Sequence, residues 1–501
     1  MSAVNRKWTD GMLSTEDWWA VWLGLMMFFA GLMTIWGIDL LGWMTKLKTW
    51  EITHLFGDFS WSKLLKPTSK TYSELHPLLS LFITYLVFAG LTSIGAYFQR
   101  LNVKQFLKGF TLLFLITWAC WIIGHEAHFK AVDAVVKGKN YFEVYDLSWG
   151  LQLGGGFSYM LALAVGLLIG NVFKGFAHFL KEAAKPEWFI KTAIVYLGIK
   201  LGLMSMKATG FVLELALAGA GATFVAYLLF WPMTYTLARR IFKLPRDAAA
   251  VLSSGISVCG VSAAIATAGA IRAKPILPIA VSMLIVIFAM VELVVLPGVY
   301  TAMAPDQPIV NGAALGMTVK TDGADAAAGA ILDELMVSKH LTDTGHEWEE
   351  GWILSAAILT KIWIDVFIGI WAFLLALIWL YKVEGRTDNT TIKLSEIWFR
   401  FPKFVIGYFI AWFTYVAIAI WFPDQIDAAK EGAGIVQSPM RKMMFMLTFV
   451  SIGVITDFSK LKGMGRLAIL YAVALFLIIA PIAYIVAYLF HHGMVPPLVT
   501  T

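Results

Sequence analysis

Apolar residues fall into long blocks along this chain, divided by short polar or basic stretches, and most blocks have the same length. Runs of about twenty residues, the length that carries a helix across roughly 30 Å of hydrocarbon, lie near 18–43, 77–97, 106–124, 150–174, 187–205, 210–238, 247–270, 275–301, 352–381, 403–422, 440–456 and 465–490. They predict about twelve membrane helices. The LSTEDWW stretch ahead of the first run offers Ser14 and Thr15 as helix caps. No small-residue cleavage site follows it, so the first run reads as a retained span.

One further segment, NGAALGMTVKTDGADAAAGAILDELM (311–336), is rich in small residues but carries Lys320, Asp322 and Asp325 in its middle. If it also crosses and the N-terminus is cytoplasmic, the basic loops 239–246, 381–393 and 459–466 share the cytoplasmic face, and the tail HHGMVPPLVTT lies outside. The lysine-bearing loop 46–76 then also lies outside, where its length makes its charge count for less.

Composition narrows the class. With 59% hydrophobic and 14% charged residues among 501, no soluble domain could hide its apolar surface. The net charge of +6 reads as topological charge at a membrane face and not as a nucleic-acid surface. The two cysteines, Cys120 and Cys259, both lie in apolar segments and give neither a disulfide framework nor a metal spacing. The HEAH sequence at His125–His128 is one residue short of the zinc-binding HExxH spacing and sits at a helix end, so no metal is expected there. No Walker pattern occurs, which argues against transport driven directly by ATP, and no cofactor is expected.

The run SSGISVCGVSAAIATAGAIRAKP (253–275) has almost no large side chains. Gly255, Gly260 and Gly269 let the backbone leave the helix, and Ser257, Cys259, Ser262 and Thr267 let another helix approach. A half-helix starting near Ser257 or Gly260 would aim free N–H groups and a positive dipole end into the membrane, a natural anion site. A closely packed ordinary helix is the other reading.

Charges inside spans are costly and usually functional or paired. Lys361 and Asp365 stand four apart on one helix face, either neutralising each other or leaving Lys361 as countercharge to an anion. Asp322 and Asp325, with oxygens from Thr318 and Thr321, form a candidate site for a coupling proton or sodium ion, unless the segment is a solvated loop. Lys200 sits where a lysine can snorkel to the surface, and Asp247 reads as a helix-start residue. LGIKLGLMSMKATG (197–210) also aligns without gaps on IGVITDFSKLKGMG (452–465), pairing Gly198 with Gly453, Lys207 with Lys462 and Gly210 with Gly465. Weak internal symmetry of this kind belongs to repeat-built transporters.

The SSGISVCGVSAAIATAGAIRAK block resembles the signature of a family of bacterial membrane proteins named as sulfate exporters. LALAVGLLIGN (161–171), YLGIKLGLMSMKATG, MTVKTDGADAAAGA (317–330), the Lys361 segment ILTKIWIDVF and IGVITDFSKLKGMG resemble family segments too, over about residues 150–490. That family is grouped with broken-helix transporters that include bile-acid symporters and sodium/proton antiporters. The resemblance implies an all-α polytopic membrane protein with an inverted-repeat transporter core (146–495) holding two discontinuous helices, preceded by a helical extension (1–145). Two departures weaken sulfate as the substrate. Thr321 and Asp322 stand where the family has His-Glu, and Ile364 and Asp365 stand where a basic residue is expected.

The expected function is therefore secondary transport, in the exporting direction, of a small anion such as sulfate, sulfite or a sulfonate, coupled to H+ or Na+. The site is expected at Ser257, Cys259, Gly260, Ser262, Thr267 and Lys361 for the anion, and at Thr318, Thr321, Asp322 and Asp325 for the cation. The expected setting is a bacterial inner membrane, with a homodimer as the candidate assembly. A passive channel or uniporter, or an intramembrane enzyme using Cys259 with His125, remain the alternatives.

Overall fold

The structure is a computed structural model that describes residues 9–499 apart from 54–59, 132–134, 137–138, 152–155, 208, 272, 275, 380–401 and 462–464. Its α-helices of seven residues or more are α1 (Glu16–Leu32), α2 (Pro77–Phe98), α3 (Val103–Ile123), α4 (Gly156–Asn171), the short α5 (Lys174–Leu180), α6 (Pro186–Lys207), α7 (Thr209–Thr236), α8 (Arg246–Ser257) and α9 (Val261–Ala270). Then come α10 (Ile276–Met303), α11 (Pro308–Thr318), α12 (Asp322–Thr344), α13 (Trp352–Ile378), α14 (Phe404–Trp421), α15 (Ile426–Ile435), α16 (Arg441–Ile455), α17 (Gly465–Ala474) and α18 (Ala480–His491). The protein is an all-α polytopic membrane protein, as the hydropathy pattern predicts. Strand is confined to short hairpins; in one, β1 (Thr45–Leu47) pairs antiparallel with β2 (Leu65–Pro67), Lys46 opposite Lys66.

Eight helices among the described residues are long and apolar enough to cross a membrane, and a ninth crossing arises if the pair 157–171 and 174–180, bent by 112°, is one span. Four of the twelve runs fall outside these eight: 150–174 is the bent pair, 352–381 runs past the described residues, and 187–205 and 247–270 differ for physical reasons. Run 247–270 is split into the shorter helices α8 and α9, as the further segment 311–336 is split into α11 and α12. In addition, α6 has the length of a span but carries the charged residues Glu187, Lys191, Lys200 and Lys207. Arg246 begins α8 directly after Pro245, with Asp247 in the first turn, the helix-start position expected for that residue.

Small residues set the closest approaches, as in other membrane bundles. α6 packs along α14 and on α16, and α16 packs along α4. The aligned residues Gly198 and Gly453 each sit at a close helix contact. A β-carbon at Gly198 would meet the Tyr408 carbonyl of α14, and one at Gly453 would meet the Gly166–Leu167 backbone of α4. The N-terminal helices are packed onto the rest. α1 lies against α6 and α14, where Gly24 abuts Val195, and α3 lies against α4 and α16.

Candidate functional site

The two interrupted helices cross at their breaks. In the first, α8 ends at Ser257 and the chain leaves helical geometry through Val258 (φ −116°, ψ −117°) to Gly260 (φ +55°, ψ −109°), from which α9 starts. In the second, α11 ends at Thr318, Val319 and Thr321 are extended, and α12 starts at Asp322. Gly260 rests against the carbonyl of Lys320, so the middle of one break touches the middle of the other. Residues without a β-carbon are needed for such a contact.

Four helix ends meet here, and their unsatisfied groups set the electrostatics. α12 opens with Thr321 as N-cap, its hydroxyl accepting from Ala324 N at 3.2 Å, and with Asp322 and Asp325 in the first turn. The carbonyl end of α11 is met by two lysines. Lys361 Nζ donates to the Val319 carbonyl at 3.1 Å, and Lys320 Nζ donates to the Met317 carbonyl. Both lysines are buried, and the Lys320 ammonium also lies 4.9 Å from the Phe230 ring centre. The start of α9 has no acidic residue in its first turn.

α13 links the two breaks. Lys361 reaches the second break, while Asp365, one turn further along, joins Cys259 and Asp322 in a cluster whose ligand atoms lie within 4.8 Å of one another. Cys259 Sγ donates to Asp322 Oδ1 at 3.3 Å. Lys361 therefore bonds the second break, while Asp365 stands beside Cys259 of the first break and Asp322 of the second with neither carboxylate oxygen hydrogen-bonded. Asp325 is buried and neither of its carboxylate oxygens has a hydrogen-bond partner. A cavity of about 250 Å³ reaches Cys259, Thr321 and Asp322 past Glu187 and Lys191, and Lys191 in turn pairs with Asp17 at 2.7 Å and Glu187 at 3.5 Å.

The other expected residues are distributed more widely. Ser257 is buried with its hydroxyl 3.1 Å from Thr234 Oγ1 of α7, whereas Thr318 donates to the Ala314 carbonyl of its own helix at 2.7 Å. Thr267 is buried within α9, and Ser262 lies in its first turn. Lys200 donates to the Glu350 carbonyl in the loop before α13. Cys259 meets Asp322, whereas His125 sits against the Trp121 carbonyl and Ser158, so their partners differ. Sequence reasoning missed Glu292 of α10, which accepts from the Tyr471 hydroxyl at 3.2 Å, and Glu187, which read as a span boundary. A lone carboxylate in the apolar run AMVELVVL was the available signal for Glu292.

The geometry coincides with a family match. A protein-family profile described as Conserved hypothetical protein 698 matches residues 155–472, which include both interrupted helices and α13. The chain belongs to this family of UPF0324 membrane proteins. A UPF0324 membrane protein of Nitrosomonas europaea is 62% identical over 497 residues, covering 99% of this chain and all of the relative. A second UPF0324 membrane protein, from Rhodopirellula baltica, is 34% identical over 400 residues, 77% of this chain and 63% of the relative. An uncharacterized protein of Archaeoglobus fulgidus is 46% identical over 166 residues, 29% of this chain and 88% of its own length. The two UPF0324 names state membrane residence, and none of the three names states a substrate. In this UPF0324 protein the profile leaves out α1 to α3, while the Nitrosomonas relative spans them.

Proposed function

We propose that this UPF0324 protein is a secondary transporter that exports a small anion, such as sulfate, sulfite or a sulfonate, in exchange with or driven by H+ or Na+. The observation that carries the reading is the crossing of the two breaks. Non-helical backbone at membrane depth is tolerated where it is enclosed by protein or lines a polar cavity, and half-helix ends are the usual ion and substrate sites of such transporters. The two half-helix N-termini differ in the way the proposal needs. The α12 end carries Asp322 and Asp325, which suits a cation, and the first turn of α9 has no acid of its own, which suits an anion. A buried carboxylate without hydrogen-bond partners, as at Asp325, is costly unless a proton or cation shares its charge.

The packing supports a two-fold repeat. α4, α6, α7, α8/α9 and α10 correspond to α14, α16, α18, α11/α12 and α13 by their neighbours. α6 lies on α14 as α16 lies on α4, and α9 lies on α13 as α12 lies on α10. The second set would run in permuted order, with its interrupted helix first. The setting we propose is a bacterial inner membrane with a cytoplasmic N-terminus, and a homodimer is the assembly to test.

The experiment is uptake into proteoliposomes of labelled sulfate, sulfite, bicarbonate, acetate and a small sulfonate, under imposed proton and sodium gradients, with Asp322→Asn alongside. Gradient-driven flux that the variant loses is the expected result. Flux indifferent to both gradients and to the variant would assign a channel or uniporter, and absence of flux for every anion would remove the substrate class.

A further inference from the structure

The HEAH sequence fails as a zinc motif by spacing, yet two of its residues face a cavity with a third partner from a distant loop. His125 is turned inward, its Nδ1 3.0 Å from the Trp121 carbonyl. Glu126 and His128 turn the other way. A parallel backbone bridge brings the 45–53 segment alongside: Trp50 N donates to the His125 carbonyl at 3.2 Å, and Ala127 N donates to the Trp50 carbonyl at 2.7 Å. This places Glu51 beside Glu126. One carboxylate oxygen from each and one ring nitrogen of His128 lie within 4.8 Å of one another.

We propose that Glu51, Glu126 and His128 bind one divalent transition-metal ion of the zinc type. Three observations converge. First, the two carboxylates stand close together while only 3% and 6% exposed, so a cation shared between them would lower the cost of burying both. Second, the three residues line one cavity of about 840 Å³, walled by Trp50, Tyr145 and Trp149 and edged by Asp146, so an ion has an entry path and a free coordination position. Third, the donors are held in place. His128 N donates to Glu126 Oε2 at 2.9 Å, Thr53 donates to Glu51 Oε2, and the Trp149 ring lies 4.7 Å from the His128 ring.

The donor set selects the ion class. An imidazole with two carboxylates suits zinc and its first-row neighbours, whereas calcium and magnesium favour all-oxygen shells. His128 Nδ1 stands 2.8 Å from Glu126 Oε1. An ion binding both atoms would replace that hydrogen bond and tie the loop between α1 and α2 to the end of α3. The site lies outside residues 155–472, in the extension that the family profile leaves out.

The test uses the full-length protein, purified, stripped with a chelator and loaded separately with Zn2+, Co2+, Ca2+ and Mg2+. Metal content after desalting and the visible absorption of the Co2+ form are the readouts. One equivalent of Zn2+ and ligand-field bands for Co2+ are expected in the wild type and in Cys259→Ser/Asp322→Asn, which removes the other thiol-carboxylate cluster. Glu51→Gln/Glu126→Gln and His128→Phe should each retain less than a tenth as much. Phenylalanine keeps a ring against Trp149 but loses the bond to Glu126 Oε1, so the chelated His128→Phe protein should still unfold cooperatively, at a somewhat lower temperature than the chelated wild type. Zinc retained equally by these variants, or loss in the Cys259 and Asp322 variant instead, would overturn the proposal. So would binding of Ca2+ or Mg2+ in preference to Zn2+.

Discussion

The carbonyl of Lys320 occupies the space into which a β-carbon on Gly260 would project, and the Ile285 side chain closes the same space from α10. Gly260 also has a φ of +55° with a ψ of −109°, outside the regions open to other residues. Gly260→Ala should therefore cost on the order of 3 kcal/mol from backbone strain and overpacking together. The measurement is thermal unfolding in detergent beside Gly434→Ala, an exposed helix position with open space around it, where the change should be neutral or stabilising. Equal melting temperatures for the two variants would mean that the breaks are not held in contact.

Lys361 satisfies the Val319 carbonyl and is a cation among Asp322, Asp325 and Asp365. Lys361→Met should destabilise by about 1–3 kcal/mol, because it leaves a buried acceptor unpaired and removes compensating charge. Adding Asp365→Asn removes one of the stranded acids and should restore part of that loss without restoring flux. If the single variant unfolds at the wild-type temperature, the lysine is not compensating these groups, and its role at the second break must be abandoned.

Cys259 separates a transporter from an enzyme. Its thiol donates one 3.3 Å hydrogen bond to Asp322 and is buried at the break, as a small packing residue would be. Cys259→Ala should keep at least about half of the anion flux, since a thiol is a weak donor and its one bond to the Asp322 carboxylate contributes on the order of 1 kcal/mol. Flux near zero in a folded Cys259→Ala protein would point to covalent chemistry at the sulfur.

What the sequence made legible follows from physics that is local along the chain. The spans could be read because hydrocarbon demands continuous apolar runs, and the first break because Gly255, Gly260 and the missing large side chains are adjacent in sequence. The second break showed itself through Lys320, Asp322 and Asp325, which no ordinary span carries together. Spacing could not reveal which groups would meet. Lys361 and Asp365 are neighbours on a helix face, yet Lys361 bonds the Val319 carbonyl while Asp365 stands with Cys259 and Asp322 where the two breaks meet. Thr318 is three residues from Thr321, but its hydroxyl is taken by its own helix. Glu51 reaches Glu126 only through a backbone bridge between distant segments, a relationship that no motif encodes.

Glu350, in the loop before α13, gives a pH prediction. The Lys442 ammonium, 3.6 Å away, pulls its carboxyl down to about 2, against the opposing effect of burial. A depressed carboxyl contributes stability that is complete above its unfolded value near 4.5 and is lost as the pH falls toward 2. Its side chain is 40% exposed, so solvent screening holds the contribution to about 1 kcal/mol or less. Glu350→Gln should lower the melting temperature slightly at pH 7, and the difference should vanish as the pH approaches 2. A gap that stays constant over that range would show that the ion pair is not what the substitution removes.

Gly198 and Gly453 test the repeat without any transport assay. Each lets its helix approach a partner at backbone distance, Gly198 on α14 and Gly453 on α4. If the two halves are related as their packing suggests, the two contacts are one structural feature used twice, and alanine should be equally ill tolerated at both. Overpacking a close helix contact costs roughly 1–3 kcal/mol, so Gly198→Ala and Gly453→Ala should each lower the unfolding temperature by a similar amount. Their double variant should be close to additive, since the altered contacts share no residue. A large loss at one position and none at the other would break the equivalence, reduce the aligned glycines to coincidence, and leave the crossing of the interrupted helices without a symmetric frame around it.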